Sequence, residues 1–345
     1  MAYSTINKST DNFNTKLYSG DGTSNRSITG VNFQPDLVWL KSRNSTNSQH
    51  LLDSVRGLFR ISSQDTSAEQ DASSAFKSFD SDGFTVTEEA SLEYNNSGKT
   101  YASWNWKANG TGSANTDGSI SSTVSANTTS GFSIVSYTGT GANATVGHGL
   151  GVAPSWIVIK GRNQTEDWTT YHASTGNTKN MILNSSAGAD THSTYWQDTS
   201  PTSSVFYLGS STRPNTSTGT YIAYCFAEKQ GYSKFGSYTG NGNADGTFVY
   251  LGFKPTFVIM KRTDVADSWL MKDSVRDSYN LANKRIFANV SSAEDTHVNG
   301  SIDILSNGFK QRGSDTLTNA SGGTYIYMAF GQPIISNSGT VATAR

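Results

Sequence analysis

One motif occurs three times in this chain, and it constrains the fold more than any other feature of the sequence. The pattern of residues 238–261 predicts a turn-rich loop, a strand, a Gly-Phe-Lys-Pro corner and a second strand that ends on a lysine. The markers of the three copies are Tyr18, Gly20, Pro35 and Lys41, then Tyr137, Gly139, Pro154 and Lys160, then Tyr238, Gly240, Pro255 and Lys261. The second set lies 119 residues after the first, and the third lies a further 101 residues on. An offset shared by four positions indicates a triplicated unit.

The triplication predicts three units of about 100 residues, which is a common domain size. The predicted divisions are a polar leader at 1–12, repeat one at 13–109, a linker at 110–130, repeat two at 131–230, repeat three at 231–332 and a polar tail at 333–345. The segment 110–130 is rich in Gly, Ser, Thr and Asn and almost free of apolar residues. We therefore expect it to be flexible or loosely extended.

The spacing of apolar residues predicts the fold class. Many short apolar runs are separated by Gly, Asn and Asp turns, which is typical of an all-β chain, here three tandem antiparallel β-sandwiches of jelly-roll type. The strands that close the repeats are residues 101–106, 221–226 and 325–330. We expect each closing strand to be central in its sheet. Strand alternation puts Trp104 and Trp106 on one face, and we expect both to be buried, together with Phe226 and Phe330.

Composition excludes several classes of protein. Only 34% of residues are apolar and 15% charged, but the net charge is −1 and aromatic residues are plentiful, so the chain is expected to fold. The lack of a basic excess argues against nucleic acid as a partner. The one cysteine, Cys225, rules out an intrachain disulfide framework and is interpreted as a buried thiol. No apolar run is long enough for membrane insertion, and no export signal is recognisable at the start.

No residue pattern in the sequence indicates an enzyme. The histidines are His50, His148, His172, His192 and His297, and none has the spacing of a metal-ligand motif. Glu88 and Glu89 are adjacent, so on a strand they would point to opposite faces. Residues 241–246 match the first half of an EF-hand loop, but Gly252 stands where the bidentate glutamate is needed, so we predict a turn. We expect no catalytic residue, no cofactor site and no metal site.

The tetrapeptide DSVR occurs at residues 53–56 and again at 273–276. Because it is duplicated with its whole repeat, we interpret it as a structural Asp–Arg pair that braces a loop. Repeat two has YHAS at residues 171–174 instead. Repeats one and three are thus closer to each other than either is to repeat two.

The order of these motifs resembles a known group of proteins. The motifs are YTGNG…GFKP…VIMKR, W…DSVRD, ANVSSAED, DILSNGF and GTYIYMAF, with SWNWKANG closing repeat one. In this order they resemble tandem-repeat virion proteins of marine tailed bacteriophages, of the cyanophage and pelagiphage type. The resemblance covers essentially the whole chain. It implies a virion structural protein and supplies no catalytic or receptor-binding residue.

We therefore expect a non-enzymatic protein on the exterior of a bacteriophage particle, assembled in the host cytoplasm. Its position would be a tail fibre, a tail appendage or a capsid decoration, with other virion proteins and further copies of itself as partners. A role in host attachment makes a host-surface glycan a candidate ligand. A glycan-binding adhesin module and a glycan-degrading tailspike stay open as alternatives. We expect contacts with partners mainly at the termini and in the most divergent segments, 42–78, 161–203 and 262–303.

Overall fold

The structure is a computed structural model that describes residues 4–335 and residue 341. It is an all-β fold whose main sheets are antiparallel, which confirms the predicted class. Runs of alternating apolar residues form the strands, and Gly, Asn and Asp form the turns between them. The few helical segments are single turns, at Ser9–Asp11, Ser193–Trp196, Thr212–Asn215, Val298–Gly300 and Thr316–Asn319.

Repeat one forms two facing sheets. Its strands are β1 (Phe13–Ser19), β2 (Arg26–Thr29), β3 (Leu37–Ser42), β4 (His50–Asp53), β5 (Phe59–Ser62), β6 (Gln70–Asp71), β7 (Phe76–Asp80), β8 (Gly83–Val86) and β9 (Thr100–Trp106). The larger sheet has six strands in the order β1-β9-β3-β4-β5-β6, and the smaller has three in the order β2-β8-β7. The closing strand β9 lies inside the larger sheet, between β1 and β3, as the sequence predicts.

Repeat two has the same plan with an enlarged main sheet. Its strands are β10 (Ser113–Asn115), β11 (Ser122–Asn127), β12 (Phe132–Thr138), β13 (Ala144–Gly147), β14 (Trp156–Gly161), β15 (Thr169–His172), β16 (Lys179–Ile182), β17 (Asp190–Thr191), β18 (Val205–Leu208) and β19 (Thr220–Phe226). Eight strands form the main sheet in the order β10-β11-β12-β19-β14-β15-β16-β17, and β13 pairs with β18 opposite it.

The expected flexible linker at 110–130 is wrong, because this segment contains β10 and β11. Strand β11 pairs with β12 from Ser122 opposite Tyr137 to Asn127 opposite Phe132. The ladder hydrogen bonds of a β-strand come from the backbone, so small polar side chains are compatible with it. Low apolar content alone therefore did not distinguish the two strands at this end of the sheet from a linker.

Repeat three repeats the plan of repeat one. Its strands are β20 (Ser233–Thr239), β21 (Phe248–Tyr250), β22 (Phe253–Arg262), β23 (Leu270–Asp273), β24 (Lys284–Phe287), β25 (Asp295–Thr296), β26 (Ile302–Leu305), β27 (Gly308–Gln311) and β28 (Thr324–Pro333). The sheets are β20-β28-β22-β23-β24-β25 and β21-β27-β26. Most of the predicted tail lies outside the described residues.

Each repeat has a private core between its two sheets, and all three share a further core. The private cores contain, for example, Phe84 in repeat one, Phe206 in repeat two and Phe309 in repeat three. Cys225 is fully buried in the private core of repeat two, as expected. The sequence interpretation did not foresee the shared core, which the opposite faces of the three main sheets build.

Aromatic side chains from every repeat meet in this shared core. Trp104, Trp106, Phe226 and Phe330 are at most 4% exposed, which confirms their predicted burial. All four belong to the shared core. The leader also contributes, because Ile6 is 3% exposed within the same cluster.

Candidate functional site: the junctions between repeats

The lysine that marks each repeat is a buried contact between repeats. Lys41, Lys160 and Lys261 are each 0% exposed at the ends of β3, β14 and β22. Each ammonium group donates a hydrogen bond of 3.0–3.1 Å to a backbone carbonyl of another repeat. The acceptors are the carbonyls of Ser291, Thr66 and Ser186, in that order. Burial lowers the pKa of all three lysines to about 8.

A second set of equivalent residues also donates a side-chain hydrogen bond across each junction. Trp168 Nε1 donates to the carbonyl of Ser62 at 2.8 Å, and Trp269 Nε1 donates to the carbonyl of Ile182 at 3.0 Å. Repeat one has Gln49 at this position, and its Nε2 donates to the carbonyl of Ala288 at 2.8 Å. The side chain differs, but the hydrogen bond between repeats is retained.

The two DSVR motifs are structural, as predicted, and they too take part in the junctions. Asp53 accepts hydrogen bonds from the backbone N–H and the side chain of Arg56, both buried, which closes the turn after β4. Burial favours the neutral guanidine, but Asp53, Tyr224 and Glu69 together outweigh it and raise the pKa of Arg56. Asp53 also accepts a hydrogen bond from the hydroxyl of Tyr224 in repeat two, at 2.8 Å.

The same contact recurs at the other junctions with different chemistry. Trp104 Nε1 donates to Asp273 Oδ2 at 3.1 Å, joining repeat one to repeat three. In repeat two His172 occupies the position of the aspartate, and its Nε2 lies 3.2 Å from the carbonyl oxygen of Tyr327 in repeat three. Burial lowers the pKa of His172 to about 4, so the ring is neutral at pH 7 and donates from Nε2.

These contacts all run in one direction around the molecule. The marker lysine of repeat two contacts repeat one, that of repeat one contacts repeat three, and that of repeat three contacts repeat two. Three junctions that use equivalent positions in the same sense are the pattern of a cyclic trimer. Here the trimer is built within one chain.

Two of the junctions carry a buried or half-buried triad of charges. Glu69 of repeat one pairs with Arg162 of repeat two at 2.9 Å and with Arg56 of its own repeat at 3.7 Å. Glu294 of repeat three likewise pairs with Arg43 of repeat one at 2.6 Å and with Arg276 at 3.3 Å. Each triad therefore links a DSVR arginine, through one glutamate, to an arginine of the neighbouring repeat.

The third junction, between repeats two and three, has lost all three charged side chains. Thr263 stands at the position of Arg162, and Ala189 at that of Glu69. Thr175 stands at the position of the DSVR arginine, Arg56. The backbone contact is retained, because Ala189 N–H donates to the carbonyl of Thr263 at 2.8 Å. At the first junction the corresponding hydrogen bond, from Glu69 N–H to the carbonyl of Arg162, is also 2.8 Å long. The repeats are thus equally close here, and the missing side chains leave a groove of about 530 Å³.

The structure places the sequence-predicted candidates apart from one another. Glu89 accepts hydrogen bonds from the backbone of Ser91 and Leu92 and closes a local turn. In the loop at 241–246, Asn241 Oδ1 accepts from Asn243 N–H, and Asn243 Oδ1 accepts from Asp245 N–H, as in the predicted turn. Within the described residues, no group of three or more His, Cys, Asp or Glu side chains could hold a metal ion.

The divergent segments at 42–78, 161–203 and 262–303 carry much of the contact between repeats. They contain the acceptor carbonyls of the marker lysines and both triad glutamates. The sequence interpretation assigned these segments to external partners and missed the triads. Comparing positions 43, 162 and 263 at the repeat offset would have signalled them, since arginine stands at two of the three.

Comparison with known proteins identifies a family for this chain. A family model described as Domain of unknown function (DUF7483) matches residues 8–333, a span that contains all three repeats. No curated protein and no solved structure matches the chain. In the described part of the chain, no helix is both long and apolar enough to cross a membrane.

Proposed function

The chain belongs to the family described as Domain of unknown function (DUF7483), and we propose that it is a non-enzymatic virion structural protein of a tailed bacteriophage. It would sit on the particle exterior as a tail fibre, a tail appendage or a capsid decoration. The motif order that resembles marine phage virion proteins is the starting point for this proposal.

The observation that carries the proposal is the cyclic interlocking of the three repeats. A chain that reproduces the contacts of a cyclic trimer presents the outer surfaces of three related repeats at once. Such a module suits attachment to a symmetric particle, where several weak contacts made together give strong binding. Other tail or capsid proteins are the proposed partners.

The use of the buried charges also supports a structural role. Enzymes hold perturbed ionisable groups in clefts, where they can act on a substrate. Here Lys41, Lys160 and Lys261 have lowered pKa values, yet each donates to backbone carbonyls at a junction. The buried Asp53–Arg56 and Asp273–Arg276 pairs close turns. These groups stabilise the assembly of repeats.

The test is to locate the protein on purified particles of the phage that encodes it. We expect mass spectrometry to find the chain in a fixed ratio to the major capsid protein, and gold-labelled antibodies to decorate the intact particle. A chain found only in the lysate, and never on washed particles, would overturn the proposal. Release of sugars from a host polysaccharide by the purified chain would favour the tailspike enzyme instead.

A further inference from the structure

The groove between repeats two and three occupies the space that an arginine fills at another junction. In repeat two, the guanidinium of Arg162 reaches across the sheet to the hydroxyl of Ser136 at 3.2 Å. Ser237 is the equivalent of Ser136 in repeat three, and it lines the groove. Thr263 replaces the arginine there and is too short to cover Ser237. The groove therefore lies where side chains are missing and the backbone hydrogen bond between repeats is retained.

The lining of the groove is rich in hydroxyl groups from both repeats. Repeat two contributes Ser174 and Thr175, and repeat three contributes Ser237, Thr239, Thr263 and Thr324. A hydroxyl group can both donate and accept a hydrogen bond, so such a lining matches a ligand whose own groups do the same.

The two charged residues of the groove have opposite signs and existing partners. Asp264 accepts two hydrogen bonds from the guanidinium of Arg262, at 2.9 and 3.0 Å. Lys179 donates to the hydroxyl of Thr191 at 3.1 Å. An anionic ligand would meet the Asp264 carboxylate, and a cationic one would meet the Lys179 ammonium. The electrostatics thus favour a neutral ligand.

We propose that this groove binds a neutral, hydroxyl-rich saccharide segment. Its volume of about 530 Å³ lies within the range of about 300–1,000 Å³ that is usual for small-ligand sites. The proposal rests on the proposed function, because an exterior virion protein meets the glycans of the host surface. It assigns recognition to one junction, while the other two keep their charged triads and serve assembly alone.

The other junctions supply the variant that tests the site. Replacing Thr263→Arg together with Ala189→Glu restores the ion pair seen between Arg162 and Glu69, and it fills the groove. Because the backbone hydrogen bond between the repeats is 2.8 Å long at both junctions, this variant should fold and melt at or above the wild-type temperature. A loss of binding would then report the groove and not a loss of structure.

Binding is measured by saturation-transfer NMR on the full chain with maltotriose, cellotriose and chitobiose as neutral probes and sialyllactose as an anionic probe. We expect at least one neutral probe to bind with a dissociation constant of about 1 mM, the range of a single weak site. The filled variant should weaken that binding at least tenfold. Sialyllactose should bind no better than the neutral probes.

A control variant changes two side chains at another junction. Arg162→Thr with Glu69→Ala leaves the groove of repeats two and three intact, so saccharide binding should not weaken. The inference is overturned if no neutral probe binds the wild type at about 10 mM, ten times the expected constant. It is also overturned if the filled variant binds as well as the wild type. Either result leaves the particle location unaffected, so failure of this inference is distinct from failure of the proposed function.

Discussion

Truncation of Trp106 tests whether the three repeats unfold as one unit. The indole is 1% exposed, and its ring centroid lies 4.9 Å from that of Phe13, 6.2 Å from Phe226 and 5.8 Å from Phe330. One side chain therefore contacts aromatic rings of all three repeats. Replacing it with alanine leaves a cavity that every repeat borders.

The size of the effect follows from the burial of the indole. A buried tryptophan side chain removes about 200 Å² from water, and at about 25 cal/mol/Å² this contributes about 5 kcal/mol. Trp106 Nε1 has no hydrogen-bond partner among the described residues. Leaving a donor unsatisfied costs about 1–3 kcal/mol, and truncation removes that cost. The expected net loss is about 2–4 kcal/mol, which overlaps the usual range of about 3–5 for such truncations.

Urea unfolding followed by circular dichroism gives the free energy, and hydrogen exchange of peptides from each repeat shows where protection is lost. We expect Trp106→Ala to lower the protection of all three repeats together, in a single transition. Trp106→Phe should cost much less, because it keeps an aromatic ring and removes the unpaired N–H. Phe206→Ala, in the private core of repeat two, should shift the same single transition. Loss of protection confined to repeat one in Trp106→Ala would refute a shared, cooperative core.

Three further predictions concern buried groups that titrate or react. Burial lowers the pKa of His172 to about 4, whereas an unfolded histidine titrates near about 6.5. The unfolded chain therefore takes up the proton first, and the free energy of unfolding should fall by about 3 kcal/mol as the pH drops from 6.5 to 4. The urea midpoint should depend less on pH in His172→Gln than in the wild type, and an equal pH dependence of the two would contradict the assignment. Burial lowers the pKa of Lys160 to about 8, so wild-type stability should rise between pH 8 and about 10, where only the unfolded lysine stays protonated. Lys160→Met should lose part of that rise and cost about 1–3 kcal/mol at pH 7, because it leaves buried carbonyls unsatisfied; a wild-type level of stability in the same titration would count against the junction contact. Burial also raises the pKa of the Cys225 thiol, so a thiol reagent should label it only as fast as the chain unfolds, and rapid labelling of native protein would contradict its burial.

The sequence predicts the elements of the fold well, because strand alternation and turn residues are local signals. The closing strand shows both the strength and the limit of this reasoning. Alternation correctly put Trp104 and Trp106 on one face, but the residues of the other face, including Ser103 and Asn105, are also fully buried. A strand buried on both faces implies a further layer. That layer is the shared core, and the polar side chains of Ser103 and Asn105 gave no sequence signal for it.

The junctions could not be predicted in the same way. A lysine that ends each apolar strand marks the repeat, but the sequence does not specify how the repeats are placed relative to one another. The carbonyl that Lys41 contacts lies 250 residues away along the chain, with no local pattern to link the two. Only the triad positions carried a usable signal, because charged residues stand there in two of the three repeats.

The cyclic contacts have a consequence for the order in which the protein can fold during synthesis. The Arg162–Glu69 pair spans 93 residues and can form once repeat two has left the ribosome, whereas the Arg43–Glu294 pair spans 251 residues and must wait for repeat three. The entropic cost of closing the longer loop exceeds that of the shorter one by only about 1 kcal/mol. Joining repeat three to repeat one is therefore thermodynamically easy once the last repeat is made. Until then the aromatic faces of the first two repeats lack their third neighbour. A nascent chain is thus most prone to aggregate in that interval, and translation pauses within the third repeat should lower the yield of native protein more than pauses elsewhere.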